Sequence, residues 1–564
     1  EFVVLAAAPD ASESEVVASP RVLQNDPAIT SDVTVILRDE FRNRILSQQT
    51  VELSVSQIEQ NNNTSPDNVA EASLSTVSWN ATPANYTATL TPTNTIELVE
   101  LIGTFGSSPT TITDRDTVDV VIPNTWEGDA SGPGTVATDW TNVENWSLGS
   151  VPTTSDFVII PNVGSLPVLD LNISVGSLEI QNGVALTLFG GNAITVSGNV
   201  EIDGSLDIED NTAITIGGNF LGTGSFSAGD NTDIIIKGSS SLGSFLARTT
   251  GTTVVMDGSA PQTISTSNFL AQTLDIQNDV TAVSGNDLID VNTLNIGTGF
   301  TFEMTTGIND TLDVGNNITG DGNFILNDNA IVLRGNLDLG TIDASQGTVI
   351  FGLRPGETDF SGLSQQQISS LSEMQNAIIN NTQGVRTFED IIVDGTLTLE
   401  NGPLIISSGK SLLASNITYN NGTVRMRRGI SATRGWRMLS APMDTTFADF
   451  LDKTVTQGYP NSSLGDNPAD SLQPNVLWYD ETDAESDSLD SEGNPLSSTD
   501  NDRWRAPVDA NNKVTAGRGY YVYFFGNIAA DSRYNTGLPL TLDIEGREHN
   551  GNGSTFTFPV TYTA

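Results

Sequence analysis

Residues 193–236 read AITVSGNVEIDGSLDIEDNTAITIGGNFLGTGSFSAGDNTDIII, and this stretch decides the fold. Ala193-Ile-Thr-Val196 returns as Ala213-Ile-Thr-Ile216 and then as Asp233-Ile-Ile-Ile236, a step of 20 residues each time. Asn199 is matched by Asn219, Ser205 by Ser225, and Asp210-Asn211-Thr212 by Asp230-Asn231-Thr232. Each short run alternates apolar and polar side chains, as a half-buried strand requires. A unit of this length with three short strands cannot bury its apolar side alone, whereas stacked copies can. The spacing predicts a right-handed parallel β-helix. Ile194, Val196, Val200, Ile202, Leu206 and Ile208 should face inward, and Thr195, Glu201 and Asp207 outward. Gly and Asn fall between the strands, where corners need positive φ.

The same pattern reaches outward in both directions. Ser177-Leu-Glu-Ile180, Ser205-Leu-Asp-Ile208, Thr273-Leu-Asp-Ile276, Thr293-Leu-Asn-Ile296 and Thr396-Leu-Thr-Leu399 form a second recurring set. Coils are therefore expected over 161–425, on the order of 12 rungs in a rod roughly 60 Å long. A pair of ordinary β-sandwiches is the competing architecture. The period fades between 345 and 390, where a loop or short helix inserted on one side is expected. Short helices are predicted over Ser364–Ile379 and Thr446–Leu451, and the rest of the chain reads as all-β.

Composition narrows the function classes. The 564 residues carry 23 Lys plus Arg against 69 Asp plus Glu, a net charge of −46. Nucleic acid and anionic lipid are poor partners for such a chain, because phosphate binding needs a basic footprint. The chain has no Cys and one His, His549 in a turn-like segment, which excludes disulfides and thiolate chemistry and disfavours imidazole metal clusters. No apolar run is long enough for a membrane-spanning helix. The opening EFVVLAAAPDAS carries no basic n-region, so the sequence reads as a mature or internal piece of a longer protein.

Residues 9–122 show strand candidates at Val33–Leu37, Val51–Val55, Ala72–Trp79, Tyr86–Leu90 and Thr117–Ile122, a spacing that suits an immunoglobulin-like sandwich. The wording PDASESEVVASP, DVTVILRDEFRNRILSQQTVELSVS and YTATLTPTN resembles the bacterial immunoglobulin-like domain of the invasin and intimin type. Phe41-Arg42-Asn43-Arg44 stands where that family places Gly and Pro in its turn. The resemblance implies a non-catalytic spacer of a surface adhesin, with residues 1–8 the end of a preceding module or a linker.

Residues 123–160 contain Trp126, Trp140 and Trp146. The segment resembles a junction that precedes β-helical regions in large secreted proteins of Bacteroidetes. A solenoid end exposes its core and an unpaired strand edge, so these tryptophans are expected to cap the first rung; sugar stacking is the alternative. From 426 to 564 the repeat stops. The wording GWRMLSAPMDTTFADFL, PNVLWYDE and GRGYYVYFFG resembles a C-terminal β-module of type IX secretion cargo in the same bacteria, expected to be a sandwich. Its strand candidates are Trp436–Ser440, Val476–Tyr479, Gly519–Phe525, Leu538–Ile544 and Thr555–Thr563.

Candidate sites cluster in this last part. Residues 480–502 hold nine acidic residues and no basic one. Asp480, Asp483, Asp487, Asp490 and Glu492 offer hard oxygen ligands for Ca²⁺, the one cofactor considered, against a plain solvated loop. Arg425, Arg427, Arg428, Arg434 and Arg437 are five of the 23 basic residues and suit forked carboxylate contacts. They are expected to pair with the acidic loop and lock the C-terminal module to the last rung, or else to bind an anionic glycan. Ser471 and Ser488 lie in Asp-Ser-Leu triplets resembling a Bacteroidetes O-glycosylation site. Trp478, Tyr479, Trp504, Tyr520, Tyr521 and Tyr523 read as sandwich core and rim.

The reading is a non-catalytic adhesin or extracellular stalk segment, secreted or attached to the outer cell surface. Its partners would be a glycan or protein ligand, other modules of the same chain and the secretion machinery. A carbohydrate-binding module is the second reading. A β-helical polysaccharide lyase or hydrolase is the third, with outward Asp207, Asp275 and Asp313 as its carboxylates.

Overall fold

The alternation in 193–236 closes into stacked coils in a computed structural model of the chain. The structure describes residues 8–19, 21–40, 44–60, 70–81, 84–132, 135–283, 289–305, 310–466, 473–480, 504–515, 517–526, 532–534 and 537–547. The chain is nearly all β, with sandwich sheets and a parallel β-solenoid of about 13 turns. Two compact units divide it, residues 1–331 with 338–343, and 332–337 with 344–564.

The first unit begins with a sandwich. One sheet joins Glu15–Ser19, Ser31–Ile36 and Asn85–Thr91 to the short strands Ser73–Leu74 and Ser78–Asn80. The other joins Val22–Gln24, Asp116–Val121, Glu97–Phe105 and Val51–Gln60 to Thr110–Thr111. Alternate residues of both sheets fill the space between them: Leu23, Val33, Val35, Leu90, Val99, Leu101, Val118 and Val120 are fully buried.

The coils of this unit follow. Ile194 pairs with Ile214, Ile214 with Ile234, Ile234 with Val254, Val254 with Leu274, and Leu274 with Leu294. A second buried column runs Leu186, Leu206, Phe226, Phe245, Phe269 and Ile289. Four phenylalanines pack there, Phe220 edge-on against Phe226, Phe226 against Phe245, and Phe245 flat on Phe269 at 4.6 Å. The predicted inward residues are buried, and Thr195, Glu201 and Asp207 are exposed.

One corner shows why the period is 20. Gly191, Asn211, Asn231 and Gly251 all have positive φ, a conformation that costs Gly nothing and Asn little. Beside them the Asp230 amide donates to Asp210 and the Thr250 amide to Asp230, each at 2.8 Å. Thr212, Thr232 and Thr252 are buried in a third column, with hydroxyls that bond one another or nearby carbonyls. The corner is a ladder of the same residue types, so a coil of another length would break it.

In the second unit the insertion expected within 345–390 is present as a loop over 353–365, where Leu337 pairs with Ile368 and the coil step lengthens to 31 residues. The stretch holds the strands Thr341–Gly352, Gln366–Ile368, Glu373–Asn380 and Val385–Thr387, and the coils go on through it. The predicted helix Ser364–Ile379 is corrected: it is a strand, a corner and a strand. Ala377 pairs with Leu397 and Leu397 with Ile417. The strand Leu412–Ile430 then takes a different neighbour, the antiparallel strand Leu540–Gly546. That strand occupies an edge that would otherwise stand open.

The four-stranded sheet of the C-terminal region orders Gly435–Leu439, Tyr520–Phe524, Val476–Tyr479 and Trp504–Arg505. Its inner face, with Leu439, Val476, Tyr520, Val522 and Phe524, packs on Phe447, Phe450, Leu542 and Ile544. The expected helix near 446–451 is present as Phe447–Phe450, where the Thr446 hydroxyl accepts the Asp449 amide at 3.1 Å. The strand candidate Thr555–Thr563 lies outside the described residues.

Candidate functional surfaces

Strand alternation places Tyr521 and Tyr523 on the face of the C-terminal sheet opposite its core. Cross-strand pairing sets Trp436 beside Tyr523 and Met438 beside Tyr521. The rings join into one row. Tyr479 meets Trp504 at 5.4 Å, Trp504 meets Tyr521 at 5.9 Å, and Tyr521 stacks on Trp436 at 4.7 Å. Trp436 then meets Tyr523 at 5.3 Å, and Phe525 and Tyr534 extend the row. The Arg518 guanidinium lies 3.6 Å from the Trp478 ring centre. Trp436 is 38%, Tyr479 42% and Met438 65% exposed. Such a face is unusual in water, because an outer sheet face is ordinarily polar. Trp436 and Phe525 entered the sequence reading only as strand ends, and Tyr534 not at all. The signal was there in YYVYFF, where both parities of the strand are aromatic.

The arginine cluster has its own geometry. Arg425 sits opposite Glu545 and Arg427 opposite Asp543 in the antiparallel pair. The Arg425 Nε donates to Glu545 at 2.7 Å, and the Thr423 hydroxyl donates to the same carboxylate at 2.6 Å. Burial alone would raise the Glu545 pKa, but these bonds outweigh it and hold the group below its ordinary value. Asp543 lies 3.7 Å from Arg427, 3.8 Å from Lys453 and 3.9 Å from Arg425. Arg437 ties down the preceding loop through Ser431 Oγ and the Thr433 and Trp436 carbonyls. Arg434 is exposed, and Arg428 lines a pocket. Asp543 and Glu545 were not foreseen as partners, although the alternation in LTLDIEG puts two carboxylates at the spacing of Arg425 and Arg427.

Asp480 follows the strand Val476–Tyr479, whereas Asp483, Asp487, Asp490, Glu492, Ser471, Ser488 and His549 lie outside the described residues. Among the described residues no three His, Cys, Asp or Glu side chains gather as a metal site, and no helix is long and apolar enough to cross a membrane.

In the first unit, Trp126, Trp140 and Trp146 form a compact aromatic knot at 4.7–6.3 Å. The rings are 0%, 4% and 2% exposed, so they leave no face open to a sugar. The Trp126 indole donates to the Ser165 carbonyl at 2.7 Å and the Trp146 indole to the Trp140 carbonyl at 2.9 Å. The N-terminal sandwich also touches the coils. Arg44 lies 3.4 Å from Asp279. A polar cleft of about 690 Å³ separates Arg21, Asp32 and Thr34 from Lys237, Asp257 and Gln262.

Residues 131–237 match the family described as a domain of unknown function (DUF8693). No curated protein sequence matches the chain. Two solved structures do. InvD of Yersinia pseudotuberculosis is 22% identical, over 22% of this chain and 30% of its own, with a TM-score of 0.16. FdeC, an Escherichia coli adhesin, is 19% identical, over 22% of this chain and 36% of its own, with a TM-score of 0.17. The matched part thus spans about a third of either neighbour's length.

Proposed function

We propose that the chain is a non-catalytic segment of a surface-displayed bacterial adhesin, exported to the cell exterior. In this reading the coils are a stiff scaffold. Its ladder bonds and stacked apolar columns resist bending, and its net charge of −46 keeps neighbouring copies apart. The observation that carries the reading is the row of aromatic rings on the outer face of the C-terminal sheet. Large rings left half-exposed are costly unless a partner covers them, and they concentrate binding energy at interfaces. The same face favours carbohydrate as the ligand, because sugar rings present C–H faces that pack on aromatic side chains.

The test uses the full chain coupled to beads, with retention measured on cellulose, chitin, xylan, collagen and fibronectin surfaces. Saturable retention is expected on at least one polysaccharide, falling about tenfold in Trp436→Ala/Tyr521→Ala with an unchanged melting temperature. Retention on none of the surfaces, or release of soluble sugar from the polysaccharides, would overturn the reading.

A further inference from the structure

A pocket of about 460 Å³ opens in the second unit, where the strand Leu412–Ile430 meets the C-terminal core. Its floor is apolar: Met426, Leu439, Phe450, Leu542 and Ile544. Its charged lining is Lys410, Arg427, Arg428 and Asp390, a balance of three positive charges against one negative, or +2. In a chain with three acidic residues for every basic one, three cations on one lining are a local enrichment.

Most of these charges already have work. Lys410 donates to Glu389 at 2.9 Å, and Arg427 faces Asp543 at 3.7 Å. Asp390 accepts the Ser411 amide at 2.8 Å and its hydroxyl at 2.7 Å, which lowers the Asp390 pKa and keeps it ionised. Arg428 is different. It is exposed, and among the described residues it has neither an ion-pair nor a hydrogen-bond partner. Cross-strand pairing sets it opposite Leu542, an apolar neighbour, where Arg425 and Arg427 face carboxylates. A guanidinium is a fixed fork for a carboxylate, and a concave apolar site of this size suits one small molecule.

We infer that this pocket binds a small free monocarboxylic acid with a hydrocarbon body. The Arg428 guanidinium holds the carboxylate, and Met426, Phe450 and Leu542 take the apolar body. One unpaired cation sets the ligand charge at −1. The floor requires an apolar tail, so a hydrophilic anion such as acetate gains only part of the interaction.

The experiment titrates the full chain with octanoate, octanol and acetate by calorimetry and ligand-observed NMR. Saturable octanoate binding is expected, with octanol and acetate each at least about tenfold weaker. Arg428→Ala should lower octanoate affinity about tenfold, Arg428→Lys should restore part of it, and Arg434→Ala, outside the pocket, should change nothing. Ser440→Trp, an exposed position on the lining, should block binding without loss of fold. No saturable octanoate binding, or binding indifferent to Arg428→Ala, overturns the inference. A peptide ending in a free leucine carboxylate that outcompetes octanoate, and loses its affinity on amidation, would overturn the small-molecule assignment in favour of a polypeptide end.

Discussion

Arg44 of the N-terminal sandwich reaches Asp279 of the coils, nitrogen to oxygen at 3.4 Å. The arginine is largely buried, with 13% of its side chain exposed. Burial lowers its pKa and the Asp279 carboxylate counters that shift. Arg44 thus places a largely buried cation of the sandwich against the solenoid. The sandwich is therefore seated on the coils.

Asp279→Ala leaves a desolvated cation without this carboxylate, and should cost about 1–3 kcal/mol of local stability. Arg44→Met keeps the apolar stem and should cost less. The double variant should cost less than Asp279→Ala alone, because the charge that needed a partner is gone. Hydrogen exchange in Ser31–Ile36 and Val280–Ala282 reads the seating directly. Equal protection in all variants would sink the idea.

Asn231 has φ +53, and its side chain approaches Asn211 one coil away at 3.5 Å. Asn231→Gly should leave stability nearly unchanged. Asn231→Val forces a β-branched residue into the left-handed region and should cost about 1–2 kcal/mol. The melting temperatures of the two variants decide it; an Asn231→Val protein as stable as Asn231→Gly counts against the corner ladder as the source of the 20-residue period.

The legible part of the fold was the part that repeats at constant length. Ile194, Ile214 and Ile234 stand at equal steps, so one coil predicts the next. Where the step changes, the inserted loop over 353–365 was legible but the helix reading failed. Ile368, Leu371 and Met374 are spaced like one side of a helix, and all three are buried. That spacing comes instead from two strands turned about a corner, and the neighbouring coils supply ladder bonds that local propensity cannot show. The partners of Arg425 and Arg427 were hidden for a related reason. Glu545 is 120 residues from Arg425, whereas the conspicuous acidic run at 480–502 is nearer in sequence. The aromatic face was half-visible: alternation identified the strand, but not that its outer neighbour would be Trp436.

Phe245 sits mid-column, fully buried, with Phe226 and Phe269 on either side at 5.1 and 4.6 Å. Phe245→Ala should cost about 3–5 kcal/mol, because rigid coils above and below cannot collapse into the void. Phe245→Leu should cost distinctly less. Denaturant unfolding monitored by circular dichroism separates the two; similar losses would mean that the column is not tightly packed.

Glu179 and Glu201 are direct partners on adjacent coils, two like charges side by side. Although Glu201 is exposed, partial desolvation of its carboxyl against the neighbouring coils raises its pKa above the ordinary 4.5, and the charges of Glu179 and Asp203 raise it further. Between 4.5 and the raised value the folded chain binds the extra proton, so Glu201 makes the protein less stable as pH rises through that window. Asp203 has the opposite sign. The Thr223 amide and hydroxyl bond it at 3.0 and 2.8 Å and depress its pKa below 3.8, so its contribution is present above 3.8 and lost as pH falls through the lower folded value. Glu201→Gln should therefore raise the melting temperature at pH 7, through a stability gain of no more than about 0.5 kcal/mol given solvent screening, and flatten the pH dependence above 4.5. Asp203→Asn should lower the melting temperature at pH 7 and approach the wild type only as pH falls below the depressed folded value. A Glu201→Gln protein that melts below the wild type at pH 7 would show that the carboxylate makes a stabilising contact that outweighs its repulsion from Glu179.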